Sequence, residues 1–87
     1  MKKSNQRLEV GDVAVSRAGH DAGRYYLVIA ETGEDFVLVC DGRYRKTDDP
    51  KVKRRKHLVF VAKAGADIGA DDKAIAAALR HYSSSEE

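Results

Sequence analysis

The residues that most constrain this chain are Tyr25-Tyr26-Leu27-Val28-Ile29-Ala30, a run dense in aromatic and β-branched side chains. Successive side chains of a strand point to opposite faces, so Tyr25, Leu27 and Ile29 share one face and Tyr26, Val28 and Ala30 the other. Both faces are apolar, so this strand must be the most enclosed of its sheet, as happens when a small sheet curls into a barrel. Its neighbours carry related patterns. Residues 13–16 alternate at strand period and lead into a loop of residues 17–24, where Gly19 and Gly23 supply the positive φ angles of a compact turn. Residues 31–35, with Glu34 and Asp35 as ordinary turn carboxylates, lead into Phe36-Val37-Leu38-Val39-Cys40, and Asp41-Gly42 closes that run with a strong turn dipeptide.

A short fourth strand is expected over residues 43–47, with Tyr44 facing inward and Arg43 and Arg45 pointing to solvent. Asp48-Asp49-Pro50 ends it, because proline lacks an N–H and restricts the residue before it. Residues 51–57 are almost entirely basic, with Val52 their one apolar member, and residues 58–62 alternate as a closing strand. Gly65 and Gly69 mark a flexible connection. Beyond it Asp71 and Asp72 precede an alanine-rich segment that has Arg80 and His81 near its end, which suits the helix dipole at both ends. Ile75, Ala78, Leu79 and Tyr82 fall at helical spacing and predict a helix over residues 72–82, marginal alone and therefore docked by that face. The expected fold class is mainly β: a five-stranded, mostly antiparallel barrel over residues 8–62, then a linker and C-terminal helix over 63–82, with a polar lead at 1–7 and a polar tail at 83–87.

Val15-Ser16, Ala18-Gly19, Asp21 and Gly23-Arg24 ahead of an apolar strand resemble the KOW motif of ribosomal proteins and transcription elongation factors. With Val37-Leu38-Val39, Asp41-Gly42-Arg43 and His57-Leu58 added, residues 8–59 resemble bacterial KOW-domain RNA-binding proteins related to large-subunit ribosomal proteins of archaea and eukaryotes. The resemblance implies a small SH3-like (KOW) barrel that binds RNA.

The charge distribution points the same way. A net charge of +2 divides into 14 basic against 9 acidic residues over 1–63, and 2 against 5 over 64–87. Residues 43–57 are the densest part, with 8 Lys and Arg against 2 Asp, a surface suited to a polyanion. A charge run alone is often a solvated face, but Arg17, Arg24, Arg43 and Arg45 sit at loop and strand edges that a small barrel brings together, and arginine's planar fork suits phosphate. The candidate RNA-binding residues are Arg17, His20, Arg24, Arg43, Arg45, Lys46, Lys53, Arg54, Arg55, Lys56 and His57, with Gly19, Gly23 and Gly42 as structural turns. Tyr25, Tyr26 and Tyr44 read as core, though an exposed one would stack on an unpaired base.

No catalytic constellation stands out. The three histidines lie in separate segments without metal-ligand spacing to Cys40, and His20-Asp21 reads as a polar loop. The glycines precede a strand, unlike a nucleotide-cradling loop. Cys40, flanked by Leu38 and Val39, reads as a packed residue. The expectation is a non-enzymatic protein without cofactor or metal. Eighty-seven residues suit one domain with a limited core. No apolar run approaches the roughly 20 residues that cross a bilayer, no signal peptide is read, and a single cysteine is compatible with a reducing compartment, so a cytoplasmic monomer is expected. Two functions remain open. One is recognition of structured RNA, ribosomal RNA foremost and with ribosomal proteins as further partners; the other is an SH3-like adaptor that docks a protein partner.

Overall fold

The computed structural model describes residues 8–65 and 71–84; the lead expected over 1–7, Gly69 of the connection and residues 85–87 of the tail lie outside the described residues. Five strands form in order: β1 (Asp12–Ser16), β2 (Tyr25–Glu31), β3 (Phe36–Cys40), β4 (Lys51–Arg54) and β5 (Leu58–Lys63). One 3₁₀ turn, Arg55–His57, joins β4 to β5, and the helix α1 spans Asp72–Ser84. The strands make one antiparallel sheet in the order β4-β3-β2-β1-β5, an SH3-like barrel whose first and last strands in that order are consecutive in the chain.

The curl has a local cause. Val13 pairs with Ala62 but Ala14 with Phe60, and Val28 pairs with Val39 but Ala30 with Leu38, so Val61 and Ile29 are extra residues in their ladders. Such bulges bend a strand and raise its right-handed twist.

Two apolar layers follow from the alternation. Leu8, Ala14, Tyr26, Val28, Val37, Val39 and Leu58 fill the barrel interior, with Phe60 against them. The opposite face carries Val13, Leu27 and Cys40, and here the helix supplies the cover through Ile75 and Leu79, with Tyr82 alongside. The apolar stretch of β2 is thus enclosed on one face by the barrel and on the other by α1. Ile75 and Leu27 are fully buried, each worth about 1.5–3 kcal/mol relative to exposure.

The two aspartates that open the helix do different work. Asp71 Oδ1 accepts the Lys73 N–H at 3.0 Å and caps α1, while Asp72 Oδ1 accepts the Thr47 N–H at 2.8 Å and pins the loop before β4 to the helix. The helix also runs past its expected end, through Ser83 and Ser84.

The fourth strand lies elsewhere than residues 43–47. Asp41 Oδ1 accepts the N–H groups of Arg43, Tyr44 and Arg45 at 2.8–2.9 Å, and the Arg45 carbonyl accepts those of Asp41 and Gly42. Local bonds therefore consume the backbone groups that a sheet ladder would need, and residues 41–45 close into a tight loop. Tyr44, expected to face inward, is 71% exposed. The basic run supplies β4 instead, pairing Arg54 with Phe36, Lys53 with Val37, Val52 with Leu38 and Lys51 with Val39.

Candidate nucleic-acid interface

Directly opposed residues of an antiparallel pair share a face. Lys51 and Lys53 therefore lie on the side of Val39 and Val37, the barrel interior, while Val52 points outward and is 56% exposed. This reversed alternation is explained by Asp21. The aspartate sits in the β1–β2 loop, 7% exposed, and a buried carboxylate needs partners. Its Oδ2 accepts from the Tyr26 hydroxyl at 2.8 Å and from Lys51 Nζ at 3.1 Å; its Oδ1 accepts from the Ser16 hydroxyl at 2.9 Å and from Lys53 Nζ at 3.1 Å. Burial alone would raise the carboxyl pKa, but the hydrogen bonds from Tyr26, the two lysines and Ser16 outweigh it and hold Asp21 far below the usual carboxylate range. Burial, then the bond to Asp21 and its charge, push the Tyr26 phenol above its ordinary value. The carboxylate thus ties β1, β2 and β4 together where β4 has no ladder to β1. Inward charges also blunt an edge strand against pairing with another chain.

The candidate residues accordingly divide. Lys53, with a side chain 10% exposed, is committed to Asp21. Arg55 donates to the Leu8 carbonyl and, at 2.9 Å, to Glu31, so it anchors the start of β1's approach to the end of β2. Arg45 pairs with Asp49 at 3.5 Å on the surface. His57 is half-buried, and its carbonyl accepts the Arg17 N–H at 2.9 Å, which places the β1–β2 loop beside the 3₁₀ turn. Arg17, Arg24, Arg43, Lys46, Arg54 and Lys56 are exposed and have no ion-pair partner among the described residues. His20 is exposed on the same loop as Arg17 and Arg24.

The exposed cations gather most closely around Tyr44. The Arg24 guanidinium lies 4.9 Å from the ring centroid and that of Arg43 5.5 Å, both within cation–π range. Arg54 lies similarly over Phe36, at 5.0 Å, on the outer face of β3 and β4. The Arg24–Tyr44–Arg43 group borders a cavity of about 300 Å³ between the β1–β2 loop, the β3–β4 loop and α1, lined also by Gly23, Asp41, Leu79, Arg80 and Ser83.

Glycine shapes the two loops that border this cavity. Gly23, at φ +94°, closes the β1–β2 loop by donating to the Ser16 carbonyl at 2.7 Å. Gly42, at φ +79°, packs against the helix backbone: a Cβ there would run into the Asp72 carbonyl oxygen and lie 2.9 Å from the Ala76 nitrogen. The turn dipeptide Asp41-Gly42 therefore also serves as the helix docking point. Cys40 beneath it has its thiol pushed up to about 11 by burial and by Asp72 and Asp41, so it stays protonated and unreactive at neutral pH.

Three features were missed in the sequence: the exposure of Tyr44, the cavity role of Arg80 and the anchoring role of Asp21. An aspartate followed at two to four positions by residues whose N–H groups it can accept is a signal that would have found the first. The other two depend on long-range neighbours. No model of a known protein family matches the chain.

Proposed function

We propose that this chain is a non-enzymatic RNA-binding module of KOW type, which meets structured RNA, ribosomal RNA foremost, through phosphate contacts from the exposed cations of its loops. The observation that carries this reading is the Arg24–Tyr44–Arg43 group, two arginines without an acidic partner among the described residues, held against a 71%-exposed aromatic ring. A cation whose only role was solubility has no need of an aromatic neighbour, whereas arginine with an exposed ring is the combination that contacts phosphate and stacks on a base. Arg17, Lys46, Arg54 and Lys56 extend the cationic surface, and phosphate contacts give affinity and orientation without base reading. Work as a cytoplasmic monomer, with ribosomal proteins as neighbours on the RNA, belongs to the same proposal.

The competing reading is a protein-interaction adaptor, favoured by exposed Val52 on β4 and Val59 on β5, the two edge strands. Isolated exposed valines are ordinary on a small domain, so they carry less than the arginine–tyrosine group.

A salt titration of RNA affinity tests the proposal. Log affinity should fall linearly with log salt, and the variant Arg17→Gln/Arg24→Gln/Arg43→Gln should lower the slope's magnitude by about 2, at roughly 0.7 per lost phosphate contact for a single strand. Unchanged affinity and slope in a folded triple variant would overturn the proposal and put the adaptor ahead.

A further inference from the structure

The cavity beside Tyr44 points to a more specific ligand than phosphate. Leu79 of α1 gives it apolar lining, and Arg24 and Arg43 line it beside Asp41, the one carboxylate among the described residues that line it. The Oδ1 of that carboxylate is already committed to the backbone N–H groups of residues 43–45. The cavity therefore offers an apolar surface, an exposed aromatic ring and surplus positive charge side by side. A volume of about 300 Å³ lies at the small end of ligand pockets, which run from roughly 300 to 1,000 Å³.

We infer that this cavity receives one unpaired nucleotide of a single-stranded or looped RNA, its base stacked on Tyr44 and its phosphate met by Arg24 and Arg43. The inference rests on the RNA reading above and assigns a role to α1 beyond covering the sheet. Stacking on a side chain requires a base that is out of a duplex, because the faces of paired bases are occupied by their neighbours. A base entering the cleft takes the place of a guanidinium against the ring and leaves that guanidinium to the phosphate. The platform is held in place before any ligand arrives. Asp41 fastens residues 43–45, Asp72 holds Thr47, and Gly42 abuts the helix backbone. Little ordering of the loop then remains to oppose binding.

The test compares a labelled single-stranded RNA oligonucleotide with a blunt RNA duplex of the same length at one low salt concentration. Proteins are the parent, Tyr44→Ala and Tyr44→Phe, the exposed position leaving the fold intact by thermal melting. Tyr44→Ala should weaken single-strand binding about 5- to 150-fold, the loss expected for one base–aromatic stack, and leave duplex binding unchanged. Tyr44→Phe keeps the ring and should match the parent. If the parent binds RNA but Tyr44→Ala loses nothing, or loses single strand and duplex alike, the nucleotide pocket is overturned while the RNA reading stands. A parent that binds neither RNA overturns both.

Discussion

Lys53 and Arg43 carry the same formal charge and lie ten residues apart in one basic segment, yet the fold gives them opposite surroundings. Lys53 points into the barrel, where its ammonium is 3.1 Å from Asp21 and its side chain is 10% exposed. Arg43 stands on a tight loop, its guanidinium against an exposed tyrosine and free of any acid among the described residues. Lys51 and Arg55 belong with the first, Arg24 with the second. The difference teaches that a basic run is not one surface. Strand alternation sends every second side chain inward, and a buried carboxylate decides that inward cations are tolerated.

The largest effect expected from breaking this division is at Asp21. Asp21→Asn removes the charge that Lys51 and Lys53 face, and stranding a buried ion costs roughly 3–5 kcal/mol, measured by urea unfolding at neutral pH. The same contribution is pH-dependent. Because the folded-state pKa of Asp21 is lowered, the stabilisation is complete above the unfolded carboxyl value near about 3.9 and is lost progressively as pH falls below it. The parent should lose stability on acidification below that point more steeply than Asp21→Asn; equal slopes would show that the network is not ionic.

On the other face of the sheet, Leu79→Ala empties a site that is 5% exposed and packed on Val13, Leu27 and Cys40. It should cost roughly 2–5 kcal/mol in thermal or urea unfolding. A variant that unfolds like the parent would mean that α1 does not depend on the sheet for its position.

The smallest effects sharpen the comparison directly. Lys53→Gln should destabilise by roughly 1–3 kcal/mol, since it weakens a charge-assisted bond to a buried carboxylate, and should leave RNA affinity unchanged under folding conditions. Arg43→Gln should do the reverse, changing stability by less than about 0.5 kcal/mol while lowering RNA affinity. Matching behaviour of the two variants in both measurements would dissolve the distinction.

Much of the architecture was legible because it is local. Alternation over residues 13–16, 25–30, 36–40 and 58–62 located four of the strands, and helical spacing of Ile75, Leu79 and Tyr82 named the face that docks. Turn chemistry at Asp41-Gly42 was read correctly as a turn, but the strand expected to follow it was not there, because three N–H groups bond to Asp41 at short range.

What the sequence determined by itself is therefore the set of segments that must be covered: a central strand apolar on both faces, an amphipathic helix able to cover one of them, and an excess of cations over the first 63 residues. What only the tertiary structure decided is which cations remain available and where they meet. Periodicity records which side of its own strand a residue takes, but not what lies across the barrel, so Asp21 looked like a loop carboxylate until Ser16, Tyr26, Lys51 and Lys53 closed around it. In the same way Arg24, Tyr44 and Arg80 are up to 56 residues apart in the chain, and no local pattern relates them. Their juxtaposition comes from the long-range packing of two loops on a helix whose backbone only a glycine at position 42 lets come so close.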